Sequence, residues 1–390
     1  MFDRLVRTRL VKLLDKIHHG QITITTPEGD VITAKGANDG YKADIVLHDW
    51  RVVANLVIKG DVGFAADYRD GYFETTDLLN LISFGLQNES FFDNYAYGNS
   101  FFKLFSKLLY LTKRNTLKGS RRNIQAHYDL GNNFYQLWLD PSMTYSAAIF
   151  KSEQEDITTA QYQKYDRLLD KIKEPSAKIL EVGCGWGGFA ERAVARNHTI
   201  KGITLSQEQA NYAQKRLENT KAEIALEDYR YQQGSYDYIV SIEMLEAVGK
   251  KYWPIYFKKL KNLLKPGGKI LLQTITIEDK FFDQYAKNAD MIRTYIFPGG
   301  MLPSEEKLHK ELHNVGLKCD ETFRFGSDYA LTLKIWLDKF KSKINEVRNI
   351  GFNDNFTRLW EFYLCACIAG FSSQRINVVQ MEISHVTSST

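Results

Sequence analysis

The chain has 390 residues, 44% of them hydrophobic and 25% charged, which favours two or three folded domains and excludes intrinsic disorder over most of its length. Lysine and arginine exceed aspartate and glutamate by only 51 to 47, so we expect no general binding to nucleic acid. The four cysteines form no C-x-x-C pair, which indicates neither a metal site nor a disulfide framework and favours a reducing, cytoplasmic compartment.

The N-terminal residues mix charges into their apolar positions and do not build the apolar core of a signal peptide. No window reaches the roughly 18 unbroken apolar residues that a membrane-spanning helix needs. Any membrane contact is therefore expected to be peripheral.

Residues 1–95 are predicted to form a small α+β domain, because short apolar runs alternate with turns rich in glycine and aspartate. Helices are expected over residues 4–18 and 76–87. Strands are expected at 21–25, 31–34, 43–47, 52–58 and 62–65.

Residues 96–122, here called the basic linker, carry apolar residues at helical spacing from Phe101 to Leu111. Lysines and arginines lie among and after them, and no acidic residue interrupts the run from Lys103 to Arg122. One interpretation is a helix whose apolar stripe packs on a neighbouring domain. The other is a basic amphipathic helix that lies on anionic lipid. Both readings stay open.

Residues 123–390 are predicted to form a second domain of the α/β class, because apolar strands alternate with helices. Helices are expected at 188–196 and 207–219, and strands at 178–182, 199–204, 223–226, 236–241 and 269–276. This order predicts a doubly wound, mostly parallel, Rossmann-like sheet, whose ligand binds at the carboxyl ends of the strands.

A glycine-rich turn follows the first of these strands and leads directly into a helix: Glu181-Val182-Gly183-Cys184-Gly185-Trp186-Gly187-Gly188. A nicotinamide or flavin site would require an acidic residue at the end of the next strand. That strand ends in Thr204-Leu205-Ser206 instead. An acidic residue followed by alternating glycines is typical of enzymes that use S-adenosylmethionine (SAM).

Further motifs make the chain resemble the family of cyclopropane fatty acid synthases and mycolic acid methyltransferases. They occupy residues 127–132 (His-Tyr-Asp-Leu-Gly-Asn), 143–146 (Met-Thr-Tyr-Ser), 202–209, 228–230 (Asp-Tyr-Arg) and 295–300 (Tyr-Ile-Phe-Pro-Gly-Gly). The resemblance implies a class I SAM methyltransferase domain. The domain before it resembles the small sterol-carrier-like, lipid-binding domain of bacterial cyclopropane synthases.

The resemblance also implies which residues bind SAM. Its methionine end is expected near Tyr128, Tyr145, Ser146, Gly183 and Gly185. Its ribose and adenine are expected near Thr204, Leu205, Gln209, Asp228 and Tyr229.

In this family the cis double bond of an unsaturated phospholipid acyl chain takes a methyl group from SAM. A carbocation forms, and a base removes a proton from the new methyl group as a cyclopropane ring closes. The resemblance therefore implies a cytoplasmic enzyme in peripheral contact with the inner face of an anionic membrane, and it leaves a homodimer open.

The family holds a bicarbonate ion as the base, and this sequence departs from that site. The positions of its ligands are Ala147, Glu246, Gln273, Ile275 and Tyr329, where alanine replaces the family's cysteine and glutamine its histidine. A second carboxylate, Glu243, stands where many relatives have glycine.

We therefore expect Glu243, Glu246 and Tyr329 to be catalytic, with the Glu243 side chain in the place of bicarbonate. The product stays open between a cyclopropane and a methyl-branched, methylene or hydroxylated chain, and so does the question of whether bicarbonate is still needed. Two rival functions are a lipid-binding protein that has lost catalysis and a methyltransferase that acts on another small lipid.

Overall fold

The computed structural model of the protein describes residues 2–89 and 130–386. The chain divides into two compact units, each assembled from separate segments. The first comprises Met1–Thr112, Gln284–Ile296 and Phe340–Ser373; the second comprises Lys113–Asp283, Phe297–Lys339 and Gln374–Thr390. The expected domain boundaries at residues 95 and 122, and the basic linker, lie outside the described residues and stay predictions.

The strands and helices are numbered here in chain order. The strands are β1 (His19–Thr25), β2 (Val31–Lys35), β3 (Asn38–Leu47), β4 (Phe73–Glu74), β5 (Lys178–Val182), β6 (Thr199–Thr204), β7 (Glu223–Leu226), β8 (Tyr236–Ile242), β9 (Leu264–Ile277), β10 (Leu317–Arg324) and β11 (Ile376–His385). The helices are α1 (Phe2–Leu14), α2 (Arg51–Lys59), α3 (Asp61–Arg69), α4 (Leu78–Gln87), α5 (Asn132–Gln136), α6 (Ile157–Leu169), α7 (Gly188–Ala195), α8 (Gln207–Arg216), α9 (Trp253–Leu263), α10 (Asp279–Lys287), α11 (Glu305–Asn314), α12 (Gly326–Ser342), α13 (Ile344–Asn349) and α14 (Asp354–Ser372).

The first unit contains a four-stranded sheet in the order β2-β1-β3-β4. Strand β1 runs antiparallel to β2 and parallel to β3, and alternate residues along β1, such as Ile22 and Ile24, are buried. The sequence analysis predicted strands at 21–25, 31–34 and 43–47, and β1, β2 and β3 cover these positions.

Residues 52–58 and 62–65, expected as strands, belong to helices α2 and α3 instead. Their β-branched and aromatic residues suggested strands, but burial follows a helical repeat, with Val52 and Val53 buried and Leu56 partly buried one turn later. Gly60 adopts φ +62° between the two helices. Its conformation ends α2 and allows α3 to begin at once.

Helix α14 packs against α3 and α4 within the first unit. The Arg358 guanidinium donates to the backbone carbonyls of Tyr68 at 2.5 Å and Phe73 at 2.9 Å. The Tyr68 hydroxyl donates to Glu361 at 3.2 Å. A helix from the C-terminal part of the chain therefore completes a unit whose sheet is N-terminal.

The second unit contains a seven-stranded sheet in the order β10-β11-β9-β8-β5-β6-β7. The five strands from β9 to β7 are parallel, and β10 and β11 add an antiparallel edge. This confirms the predicted α/β class with a doubly wound, mostly parallel sheet. The order reverses beside β5, so that ligands are expected at the carboxyl ends of β5, β6 and β8.

One core of the second unit lies where α6 and α7 meet the sheet, and it includes Leu168, Ile179 and Phe189. Among the described helices, none combines the length and the apolar composition needed to cross a bilayer.

Candidate active site

A cavity opens at the carboxyl ends of β5, β6 and β8 in the second unit, with an empty volume of about 1120 Å³ that includes space open to solvent. Nine residues singled out from the sequence line it: Tyr145, Ser146, Gly183, Gly185, Thr204, Leu205, Gln209, Tyr229 and Glu243. Tyr128 lies outside the described residues, and Asp228, Glu246 and Tyr329 are not part of the lining.

The glycine loop after β5 needs its glycines for two different reasons. Gly183 has φ +85°, and a Cβ there would lie 2.7 Å from Cγ of Met244. Gly185 has φ +52°, yet a Cβ there would meet no heavy atom within 4 Å. Gly183 is therefore required by packing, whereas the space beside Gly185 belongs to the cavity and lets a ligand approach the backbone.

The end of β6 brings Thr204 and Gln209 together. The Thr204 hydroxyl donates to the Gln209 side-chain oxygen at 2.9 Å, and Ser206 caps α8 by accepting the Gln209 backbone N–H at 3.3 Å. These contacts hold Gln209 on the first turn of the helix, at the wall of the cavity.

Asp228 and Tyr229, both predicted to lie near the ribose and adenine, have different surroundings. The Asp228 carboxylate accepts from the backbone N–H of Arg230 at 3.0 Å and from its guanidinium at 2.8 Å. Tyr229 and Arg230 line the cavity, together with Glu227. Arg230 is the last residue of the quoted motif and Glu227 precedes it, but the sequence analysis had assigned neither residue to the site.

Glu243 follows β8 and accepts hydrogen bonds from three sides. One carboxylate oxygen accepts from the backbone N–H of Ala147 at 2.9 Å and from Nε2 of Gln273 at 2.8 Å. The other accepts from the Tyr329 hydroxyl at 2.8 Å. These three donors come from the positions at which the family resemblance places bicarbonate ligands.

The backbone of Glu243 is unusual, with φ +50°. This region is costly for residues other than glycine, by roughly 1–3 kcal/mol when the surrounding structure enforces it. A glycine would adopt it without strain. The carboxylate is thus retained at a position where the backbone itself favours glycine.

Burial raises the pKa of the Glu243 carboxyl, and the hydrogen bond from Ala147 and the charge of Lys164 act in the opposite direction. Lys164 is fully buried on α6, and its Nζ donates to the Ser146 hydroxyl at 2.6 Å. Burial lowers the pKa of Lys164 to about 7, against the opposing effect of Glu243 and other carboxylates. The sequence analysis missed Lys164 and did not predict α6, the helix that carries it.

Glu246 is a second carboxyl group near Glu243. One of its oxygens accepts from the backbone N–H of Ile275 at 2.5 Å and from the Thr274 hydroxyl at 3.0 Å. Within the described part of the chain, its other oxygen is buried and has no hydrogen-bond partner. Burial, followed by the charge of Glu243, raises the pKa of Glu246 to about 8. Glu246 is therefore mostly protonated at neutral pH.

Aromatic rings surround Tyr145 on the wall of the cavity. Its ring centroid lies 5.5 Å from those of Tyr135 and Trp138 and 5.4 Å from that of Trp336. Trp336 in turn meets Tyr329 edge to face at 6.2 Å. Ring faces of this kind tolerate a nearby cation.

A family model described as mycolic acid cyclopropane synthetase matches residues 115–381. The chain is 33% identical over 376 residues to tuberculostearic acid methyltransferase UfaA1 of Mycobacterium tuberculosis, covering 90% of this chain and 85% of the relative. It is also 33% identical over 365 residues to the cyclopropane-fatty-acyl-phospholipid synthase of Escherichia coli, covering 89% of each chain.

Among solved structures, the mycolic acid cyclopropane synthase CmaA1 complexed with SAH and CTAB matches with a TM-score of 0.64 and 30% sequence identity. The match covers 67% of this chain and 97% of that one.

Proposed function

The chain belongs to the mycolic acid cyclopropane synthetase family, and we propose that it transfers a methyl group from SAM to the cis double bond of an unsaturated phospholipid acyl chain. The fold is that of a class I SAM methyltransferase, and SAM is the methyl donor. The observation that carries the proposal is the Glu243 carboxylate, held by three donors on the wall of the cavity.

The residues of the cavity fit SAM. The open space beside Gly185 admits the methionine end close to the backbone, and Tyr145 and Ser146 lie on the same wall. Gln209 and Tyr229 are assigned to the ribose and adenine. The similar structure CmaA1 was solved with SAH, which is SAM without its methyl group.

When bound, SAM supplies an electrophilic methyl group, which the π electrons of the double bond take up to leave a carbocation on the acyl chain. The Tyr145 ring on the cavity wall stabilises that charge. Glu243 then removes a proton. When that proton comes from the new methyl group, the electron pair of the broken C–H bond closes the cyclopropane ring.

We assign Glu243 the role that bicarbonate has in relatives. The side chain accepts hydrogen bonds from Ala147, Gln273 and Tyr329, which are the counterparts of bicarbonate ligands in the family resemblance. A second anion would have to share these donors with a carboxylate, which like-charge repulsion opposes. The reaction should therefore proceed without bicarbonate.

Glu246 and Tyr329 support this base. Tyr329 donates to Glu243 directly. Glu246 holds the backbone of Ile275 and, with its raised pKa, adds little negative charge beside Glu243 at neutral pH.

The fate of the carbocation decides the product. Removal of a proton from the new methyl group gives a cyclopropane, and removal from a neighbouring carbon gives a methyl-branched alkene. The relatives include a cyclopropane synthase and a tuberculostearic acid methyltransferase by name.

We propose that the enzyme lies at the inner face of the cell membrane and contacts it peripherally through the basic linker. A homodimer is the assembly to test. The support is the run of lysines and arginines without an acidic residue from Lys103 to Arg122.

Lipid mass spectrometry tests the proposal. Cells with a monounsaturated acyl pool should, on expression of the protein, accumulate phospholipids one methylene unit heavier, and fragmentation or NMR of the purified lipid should identify the product. Unchanged lipids, together with retained binding of unsaturated phospholipid, would instead favour a lipid-binding protein without catalysis.

A further inference from the structure

A chain of hydrogen bonds runs from the partly exposed Arg167 on α6 to Glu243. The Arg167 guanidinium donates to Oε1 of Gln380 at 3.2 Å. Nε2 of Gln380 donates to Oε1 of Gln273 at 3.0 Å, and Nε2 of Gln273 donates to Glu243 at 2.8 Å. Gln273 and Gln380 are register partners on the adjacent strands β9 and β11, and both are buried.

The donor and acceptor ends of these hydrogen bonds are fixed from the Arg167 side. A guanidinium can only donate, so Gln380 must turn its oxygen towards Arg167. Nε2 of Gln380 also donates to the backbone carbonyl of Lys164 at 3.2 Å, and a carbonyl can only accept. Both ends of the Gln380 amide are therefore assigned, and Gln273 meets an N–H donor on its oxygen side.

We propose that Gln380 and Arg167 are positioning residues that act through Gln273, so that Gln273 can present only an N–H donor to Glu243. This inference rests on the proposed role of Glu243 as the base. An amide free to rotate could instead present its oxygen, which would require a protonated Glu243. The hydrogen bonds through Gln380 and Gln273 thus keep Glu243 in the carboxylate form, which can accept a proton.

Other charged and titratable groups also face Glu243. Lys164 approaches from α6, Tyr329 from α12 and Glu246 from the segment after β8. In the described part of the chain, the hydrogen bonds of these side chains go to Ser146, Thr274, Ile275 and Glu243. The orientation of the Gln273 amide therefore depends on Gln380.

The test is the pH dependence of product formation in single turnovers, with saturating SAM and vesicles of monounsaturated phosphatidylglycerol. Gln380→Glu is nearly isosteric but can only accept, so Gln273 should rotate its Nε2 towards the new carboxylate and its oxygen towards Glu243. The acidic limb of the rate profile should then move to higher pH by on the order of one unit. SAM affinity, measured by calorimetry, should stay as in the wild type.

Three further variants separate orientation from charge and from folding. On a Gln273→Leu background, Gln380→Glu should shift the acidic limb much less, because no amide remains to rotate. Arg167→Met changes a partly exposed side chain and should shift the limb in the same direction by a smaller amount. Glu321→Gln removes the carboxylate that pairs with Arg167 at 2.8 Å, leaves Arg167 bonded to Gln380, and should shift nothing.

An equal shift with and without Gln273 would mean that the added charge acts directly, and the inference would be wrong. It would also be wrong if neither Gln380→Glu nor Arg167→Met moved the limb while Glu243→Gln abolished turnover. Full turnover of Glu243→Gln would instead overturn the proposed base itself.

Discussion

The carboxylate of Glu243 accepts the backbone N–H of Ala147 at 2.9 Å, across 96 positions of the sequence. The loop before α6 and the end of β8 are thereby joined on the wall of the cavity. Alanine has no polar side chain, so position 147 contributes only its backbone donor there. The absence of the family's cysteine at position 147 and the presence of a carboxylate at position 243 therefore affect the same site.

The loop after β5 can be tested at Gly185. Gly185→Val would place a branched side chain in the cavity and should abolish SAM binding in calorimetry. Gly267→Val is a matched control, because Gly267 also has positive φ, +78°, and open space around its Cβ, but it lies in β9 away from the cavity. If Gly185→Val bound SAM as tightly as Gly267→Val, the assignment of this loop would be wrong.

Lys164 should make stability depend on pH. Its pKa is about 7 in the folded protein and 10.5 as the ordinary value, so between these values the unfolded chain binds more protons and unfolding becomes harder as pH rises. The free energy of unfolding should therefore increase from pH 7 to about pH 10 by up to a few kcal/mol more in the wild type than in Lys164→Met. Urea titrations at several pH values measure this difference, and parallel curves would contradict a buried neutral lysine.

Glu246 should act in the opposite direction. Its pKa rises from 4.5 to about 8 on folding, so the folded protein binds more protons between these values and its stability falls as pH rises through them. Glu246→Gln removes this titration and should flatten the loss of stability between pH 5 and 8. Glu305→Gln, at an exposed ion pair with Arg324, should leave the wild-type slope intact. A slope unchanged in Glu246→Gln would show that Glu246 is ionised at neutral pH.

The basic linker can be tested with phosphatidylglycerol vesicles. Changing Lys103, Lys107, Lys113 and Arg114 to glutamine should weaken sedimentation with vesicles by up to about 1 kcal/mol per charge. Wild-type association should also fall with added salt, because charges are screened within about 8 Å at physiological ionic strength. The control removes four exposed lysines elsewhere, Lys215, Lys221, Lys258 and Lys310. Equal weakening in both variants would mean that only total charge matters.

The sequence was sufficient for the features that local pattern controls. Strands β5, β6 and β7 have the predicted bounds, since short apolar runs bounded by glycine or polar turns specify them. Residues 52–58 were misassigned because β-branched side chains also fit a helix when one face of that helix is buried.

Contacts between segments that are distant along the chain could not be predicted from a single sequence. Gln380 meets Gln273 across 107 positions, and its function depends on register between β9 and β11. Lys164 could be placed near Glu243 only once the fold was known. The partners of Glu243 were anticipated because the family resemblance, and not spacing, brought residues 147, 273 and 329 to one site.

Glu243→Gln should retain SAM and lipid binding but lose about 10²–10⁴-fold in rate, as is common when a general base is removed. Its matched control is Glu305→Gln, which should keep the wild-type rate. Full activity of Glu243→Gln would mean that Glu243 is not the base.

The most direct test of Glu243 as the base is the rate of product formation with and without bicarbonate, in the wild type and in the triple variant Glu243→Gly, Ala147→Cys, Gln273→His. The variant restores the family's ligand set, and glycine suits the φ of +50° at position 243. We expect the wild type to be indifferent to bicarbonate, and the variant to require it and to shift its product towards the cyclopropane. A wild-type rate that collapses on bicarbonate depletion and recovers on its addition would contradict the assignment of Glu243 as the base.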